Sequence, residues 1–356
     1  MTERTDQAER TVTIGDIASA AGVSRSTASY ALSGKRSIST EVRQRVADAA
    51  RELGYTPNAG ARALATAQTK VIGLLAQFHE DEFAPAMLQY ILGVSDTARE
   101  LGYDTLLVSE ADGARALARI TSSRMVDGVV LLNVAQDDPR LPLLRAAGQP
   151  GALVGLPGDC DGVDVFDLDF EAAGRLMVDH MHRLGHRELI LVSQPEHVVE
   201  RGGAYVWRLQ DSVVQQAAAR GIRLHAVFGP SGQPEVGRAL HRLLDAHPAA
   251  TGLLLNNEAA AAALPSVLHE RGLRAPRDLS VIGRYSDEFA RMFSLPYSAV
   301  ESAAHRLGEL AVRRLVRRVT SAEARTDPYT VELLAPELTD RGSTGRPTPT
   351  AQGETP

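Results

Sequence analysis

The 356 residues contain one cysteine, one tryptophan and aromatic side chains at only 4% of positions. A single thiol, Cys160, cannot close an internal disulfide or build a cysteine cage for zinc, which excludes a disulfide-stapled scaffold and a zinc ribbon. No apolar run approaches the ~20 residues that cross a bilayer. The charged start MTERTDQAER holds no apolar stretch of an export signal, so a cytoplasmic, nucleoid-associated chain with no membrane partner is expected. Also missing are a G-x-G-x-x-G or Walker loop and a G-x-S-x-G nucleophile elbow. His182 and His186 flank Gly185, where a helix should end, and His79 beside Glu80, Asp81 and Glu82 reads as a solvated loop. Neither is a metal-ligand pattern. The chain is therefore not expected to be an enzyme, nor to need a cofactor or metal.

What is present is unevenly distributed. The formal charge is −6, yet residues 1–70 hold ten Lys/Arg against seven Asp/Glu, a balance of +3 that leaves −9 for the remainder. A basic head on an acidic body is the asymmetry expected when one end meets phosphate. Within the head, apolar residues recur at helical spacing in three short blocks: Ile14, Ile17, Ala18 and Ala21; Ala28, Ala31 and Leu32; Val42, Val46, Ala49, Ala50 and Leu53. Thr13, Ser24 and Ser39 stand where N-caps belong, and Gly22 and Gly54 supply turn backbone. The second block, SRSTASYALS, carries Arg25, Ser26, Thr27, Ser29 and Tyr30 where a packing helix would want Leu and Ala. Two short helices across a glycine turn have helix-turn-helix spacing, in which the second helix enters the major groove; a surface helix with capping serines is the competing reading.

From Val71 the rhythm changes to short apolar runs such as VIGLL, DGVVLLNV, ELILVS, TGLLLNN and LSVIG, alternating with longer amphipathic segments. Strands apolar on both faces with helices between them imply parallel sheets, and some 270 residues of this pattern imply two. Ligands of such sheets bind beyond the carboxyl ends of the strands.

The head sequence VTIGDIASAAGVSRSTASYALSGKRSISTEVRQRVADAARELGYTPNAGARALA resembles the N-terminal domain of the LacI/GalR family of bacterial transcription regulators. The core, from VIGLL through MHRLGHRELILVS to LSVIG, is similar to that family's effector domain. The resemblance implies an N-terminal all-α helix-turn-helix head plus an α/β core of two parallel-sheet lobes, periplasmic-binding-protein-like. It places base reading on Arg25, Ser26 and Tyr30, with a partly buried ring as the other reading of Tyr30, and backbone contacts on Ser24, Thr27 and Ser29. Thr13 and Ser39, at helix N-termini, are candidate phosphate contacts as well as caps. ARAL corresponds to a hinge helix that enters the minor groove, with Leu64 as the wedge and Ala65 at the following, discriminating position. Gly60 inside that segment disfavours helix by about 1 kcal/mol relative to Ala.

The expected partners are a double-stranded, palindromic DNA operator bound as a homodimer, and a small-molecule effector, sugar-like or an anionic metabolite, acting by induction or corepression. No heptad-patterned segment follows the core, so a tetramer is not supported. Effector contacts map to Met87, Asp169 (or Asp167), Arg208, Asn257 and Tyr285, the last standing where the family usually has an aspartate, beside the cation Arg284; Trp207 could line the same cleft. Pairing of Arg208 with Asp211 and of Arg284 with Asp287 would instead leave the pocket apolar. The expected boundaries are disordered residues 1–11, a DNA-binding domain at 12–57, a hinge at 58–70, a core at 71–340 and a disordered tail at 341–356. Lobe 1 is expected at about 71–169 and 300–327, lobe 2 at 170–299 and 328–340. The alternative is a transporter's solute-binding protein carrying a vestigial head.

Overall fold

The computed structural model describes residues 12–33, 38–55, 68–79, 85–294 and 296–348. Two units divide the chain at Thr69 and Lys70. In the first, α1 (Ile14–Ala20), α2 (Arg25–Ser33) and α3 (Thr40–Glu52) pack mutually around Ile17, Ala18, Ala28, Val46 and Ala49. Small alanines at the crossings let three short helices close on one another without long side chains. Each helix start is capped as its sequence demands. Thr13 accepts from the Asp16 amide while the Asp16 carboxylate accepts from the Thr13 amide, 2.8 Å. Ser24 accepts from the Thr27 amide at 3.0 Å, and Ser39 from the Val42 amide at 3.4 Å. Such caps contribute about 1 kcal/mol each. Gly22, between α1 and α2, has φ +64°, a left-handed turn conformation that any Cβ would strain. Residues 58–67 of the expected hinge, with Gly60, Leu64 and Ala65, lie outside the described residues, as do the expected disordered residues 1–11 and, of the expected tail 341–356, residues 349–356.

In the second unit the chain first lays down β1 (Val71–Leu75), α4 (Ala86–Glu100), β2 (Asp104–Val108), α5 (Gly113–Ser122), β3 (Gly128–Leu131), α6 (Arg140–Ala147), β4 (Gly151–Val154) and β5 (Asp164–Leu168). It then builds a second lobe from α7 (Phe170–Leu184), β6 (Glu188–Ser193), α8 (Glu196–Glu200), α9 (Ala204–Ala219), β7 (Arg223–Phe228), α10 (Glu235–Ala246), β8 (Gly252–Leu255), α11 (Glu258–Glu270), β9 (Ser280–Tyr285), α12 (Asp287–Arg291) and β10 (Ser298–Glu301). Helix α13 (Ala304–Thr320) and β11 (Val331–Leu334) return to the first lobe, and β12 (Leu338–Thr339) to the second. The sheets run β11-β5-β4-β3-β1-β2 and β12-β10-β9-β8-β6-β7. Every pairing is parallel except β10 with β12. The chain thus passes between the lobes three times, after β5, after β10 and after β11. The apolar runs of the sequence are the inner strands; β1, β3, β4 and β8 are buried almost end to end.

Helix α13 reaches the first sheet by lying against α4. A Cβ on Gly93 would sit 2.2 Å from the His305 carbonyl oxygen, so only glycine permits this backbone approach. The return is fixed by Asp164, fully buried at the start of β5. Its carboxylate accepts from Arg318 Nη2 (3.1 Å) and Nε, from Arg314 Nε (3.1 Å) and from the Thr330 amide (3.0 Å). Arg318 also donates to the carbonyls of Ala324, Asp327 and Pro328, tying down the loop that leads into β11.

Two boundaries differ from expectation. The segment 328–340 does not belong wholly to the second lobe, because β11 pairs with β5 of the first sheet; the first lobe is regained at α13, not at residue 300, which lies in β10. Residues 341–348 are not a disordered tail. Ser343 is fully buried, bridging the Val281 carbonyl (2.6 Å) and the Ser298 amide (2.7 Å). Thr344 meets His180 Nε2 at 2.8 Å, and the Gly345 carbonyl meets His186 Nε2 at 3.0 Å. The small polar residues that read as disorder are those that let backbone lie against a sheet.

Burial lowers the pKa of both His180 and His186. Asp340 opposes this at His180 and Arg183 reinforces it, while the Gly345 carbonyl opposes it at His186. Both rings are therefore kept neutral, and their contribution is present above the unfolded value of about 6.5 and lost as pH falls through the lower folded values. Acidification should lower the melting temperature, and His186→Gln should flatten that dependence; identical curves for the two proteins would overturn the role of the ring.

Candidate DNA-contact surface and ligand cavity

On the head, the first turn of α2 presents Ser24, Arg25 and Ser26 to solvent, with Thr27, Ser29 and Tyr30 half-buried. The Ser24 hydroxyl contacts those of Ser26 and Thr27, each at 2.8 Å, so the three hydroxyls are held as one cluster around the cap. The Arg25 side chain makes no hydrogen bond or ion pair with any described residue. Its guanidinium lies across Gly15 of α1: a Cβ there would stand 3.3 Å from Arg25 Nε. An exposed cation beside a hydroxyl cluster, at the amino end of a short helix, is the chemistry that donates to base edges and phosphate oxygens.

In the core, a cavity of about 170 Å³ lies between the lobes, at the carboxyl ends of both sheets. Met87, Tyr90, Val134 and Leu156 line it from the first lobe, Phe170, Val198 and Tyr205 from the second. Its polar lining includes Asp167, Glu258, Arg284, Gln194, Gln77, Arg201 and Asn257. Arg284 is buried, its Nε donating to Asn256 Oδ1 at 2.8 Å and its Nη2 lying 3.5 Å from Glu258 Oε1. The rings of Phe170 and Tyr205 flank the guanidinium at 5.5 and 5.9 Å. Burial works against its charge, but the Glu258 carboxylate and nearby tyrosine hydroxyls outweigh this and hold its pKa above the ordinary value. Burial pushes the Tyr90 hydroxyl up to about 12, keeping it a neutral donor.

Asp167 receives the Leu156 and Leu168 amides, each at 2.9 Å, and faces Arg208 Nη1 across 4.0 Å. Arg208 also reaches Gln136 Oε1 at 3.3 Å, and the Gln136 amide donates to the Gly202 carbonyl at 3.2 Å. These contacts join the lobes beside the cavity. Gly202 has φ +88°, and a Cβ there would stand 2.9 Å from that of Ala135 across the cleft, so glycine alone allows this approach.

The sequence-derived effector residues divide. Met87 and Asn257 do line the cavity. Asn257 is committed to structure: its Oδ1 caps α11 through the Ala260 amide (2.9 Å), and its Nδ2 donates to the Ser193, Gly229 and Pro230 carbonyls. Arg208 lies in an outer crevice with Trp207, not in the central cavity. Asp169 does not line the cavity; it caps α7 through the Ala172 amide at 2.8 Å, and Asp167 does the lining. Tyr285 is in the core of the second lobe, packed on Phe289 and Tyr297. Successive residues of a strand face opposite ways, so Arg284 faces the cavity and Tyr285 cannot. The pairings that would have emptied the pocket are also absent: Arg208 turns to Asp167 and Gln136, Arg284 to Glu258 and Asn256, while Asp287 pairs with Arg291 and Arg341. Tyr90, Phe170, Gln194, Tyr205 and Glu258 also line the cavity and are not among the residues expected from the sequence. Three of them, Phe170, Gln194 and Glu258, stand within three residues of a strand's carboxyl end, a positional signal that could have found them. No group of three or more His, Cys, Asp or Glu among the described residues is placed to hold a metal, and no described helix is long and apolar enough to cross a membrane.

Residues 13–58 match the family model for bacterial regulatory proteins of the lacI family, and 178–344 that of the periplasmic binding protein-like domain. A transcriptional repressor, PurR of Mannheimia succiniciproducens, is 30% identical over 343 residues, spanning 93% of this chain and 98% of its own. The solved complex of the transcriptional regulator CelR with cellobiose superposes with a TM-score of 0.63 at 27% identity, covering 93% of this chain and 99% of that one. The lac repressor dimer bound to operator and an anti-inducer gives 0.79 at 22% identity over 94% and 99%, a likeness of fold.

Burial raises Asp167 to about 6, against its two amide bonds and the nearby Arg208 and Arg284 cations. An unfolded aspartate titrates near 4, so folding favours the protonated form. That contribution is full below the unfolded value and lost as pH rises through about 6, up to about 3 kcal/mol. Asp167→Asn should flatten this segment of the stability curve in urea melts; an unchanged slope would count against the assignment.

Proposed function

The chain belongs to the lacI family of bacterial regulatory proteins, and from that membership we propose that it represses transcription as a homodimer on a two-fold operator, with a small molecule between the lobes setting its affinity for DNA. The observation that carries this reading is the first turn of α2, where Arg25 stands exposed beside the Ser24, Ser26 and Thr27 hydroxyls. In a groove Arg25 gives two hydrogen bonds to a guanine edge, the hydroxyls and Tyr30 fit bases or phosphates, and the amino ends of the helices capped by Thr13 and Ser39 meet the backbone. Two heads on symmetric half-sites supply the specificity that one small, mildly basic head lacks. Leu64, with Ala65 after it, wedges the central base step. The ligand acts by favouring one lobe closure over another, since equal affinity for both shifts nothing. A protein of this kind works in the cytoplasm, on the nucleoid. The relatives support the same assembly: the lac repressor structure is a dimer on its operator, and CelR holds cellobiose. The alternative of a transporter component with a vestigial head is disfavoured by the head itself, whose caps and core are complete.

Selection of bound DNA from a random pool, with sizing by light scattering, tests the reading. A palindrome bound by a dimer is expected; no preference over scrambled duplex would sink it. On the selected site, Arg25→Ala should cost about 1–3 kcal/mol and relax preference at one symmetric base pair. Leu64→Ala should weaken specific binding far more than nonspecific binding, and equal losses would refute the wedge. Gly15→Ala should raise head stability by up to about 1 kcal/mol through helix propensity, yet alter base preference by displacing Arg25.

A further inference from the structure

Resting on the repressor reading above, we infer that Lys70 is a positioning residue for operator binding: it fixes the direction in which the chain enters the core and so sets the spacing of half-sites that two heads can span. Lys70 is the first residue of the second unit and stands immediately before β1. Its φ is +60°, a left-handed conformation in which its Cβ is strained. Such a conformation persists only where the surroundings hold it, and it clusters at clamps and switch regions.

Every polar group of Lys70 is held. Its amide donates to Asp127 Oδ2 at 2.9 Å, and its carbonyl accepts from the Asp104 amide at 2.9 Å. Its ammonium donates to the Tyr103 hydroxyl at 3.2 Å and lies 4.3 Å from the centre of that ring. Tyr103 is 3% exposed and belongs to the core of the first lobe, and the Asp127 amide donates in turn to the Val71 carbonyl at 2.8 Å. Asp104 opens β2 and Asp127 precedes β3, the two strands that flank β1, so both neighbours grip the residue that leads into it. A swivel of the chain at this point would break these contacts together. Were β1 merely to begin here, glycine would take the same φ without strain. The clamp stands at the amino ends of the strands, and none of its residues lines the cavity; it serves the chain that precedes it. Two linked heads bind a palindrome best when their separation matches the half-sites, and a fixed attachment favours one separation over the rest. One base pair more at the centre moves the half-sites by about 3.4 Å and turns them by about 35°, a displacement that a fixed attachment resists and a loose one absorbs.

Palindromes of the selected half-site, with one or two base pairs inserted or deleted at the centre, test this on the full-length chain. The unmodified protein should prefer one spacing by about tenfold; Lys70→Gly, which keeps the turn and removes the ammonium, should bind that spacing about tenfold less tightly and its neighbours nearly as well. Lys70→Arg still reaches the Tyr103 ring and hydroxyl and should restore the preference. A duplex with one half-site should be bound alike by all three, because the head is untouched. A loss by Lys70→Gly on that duplex, or an unchanged spacing preference, overturns the inference and leaves the repressor reading standing. Lys70 is one of two lysines in the chain, so isotope-labelled lysine isolates its amide signal in magnetic resonance. Slow hydrogen exchange of that amide is expected of the clamp, and exchange at the rate of an open loop overturns it whether or not the glycine variant folds. Failure of the unmodified protein to prefer any palindrome overturns the repressor reading, and this role with it.

Discussion

The first lobe depends on one buried carboxylate. Asp164 opens β5 without access to water, and a lone charge there would be prohibitive. It is made tolerable by Arg318, Arg314 and the Thr330 amide, which come from α13 and from the strand entry that follows it. The same contacts thereby decide where the chain goes after its second visit to the other lobe. Removing one partner of such a cluster costs about 3–5 kcal/mol, because the survivor stays buried and unpaired. With β11 laid beside β5 and α13 pressed on α4, the carboxyl ends of the first sheet are held where the second lobe can face them.

That facing arrangement makes the cavity a shared object. Its walls come from loops that follow strands of both sheets, and its side is closed by Gly202 against Ala135 and by Arg208 reaching Gln136 and Asp167. Charge is distributed with the same economy. Arg284 and Glu258 offset one another, and burial raises Asp167 in spite of the Arg208 and Arg284 cations near it. Two cations, Arg284 and Arg201, and two carboxyl groups, Asp167 and Glu258, thus line the cavity of an acidic chain.

Much of this is legible in the sequence. The head announced itself because caps, turn glycines and alanine spacing are local signals, and α1 to α3 begin where Thr13, Ser24 and Ser39 stand. The inner strands were legible because burial on both faces leaves uninterrupted apolar runs. β11 and β12 were not, since VELL is half-exposed at a sheet edge and Leu338–Thr339 is two residues long. Residues 341–348 were misread because composition cannot tell a polar segment in water from one whose hydroxyls are bonded to a sheet. In the cavity, the slip from Arg284 to Tyr285 was a question of strand phase, which a chemical likeness between neighbouring positions does not reveal. Arg208 lies in the outer crevice and Asp169 on a helix cap, places that residue type alone does not distinguish from the cavity wall.

The three passages of chain between the lobes have a mechanical meaning. Two bodies joined by a single tether can swivel and slide in any direction; three side-by-side tethers remove sliding and torsion and leave one swing, like a door on several pins. Closure of such a core is a lever: a change of an ångström near the pins becomes a larger arc at the far rims. In the repressor proposed above, a ligand held between the lobes acts by favouring one position of that swing over another.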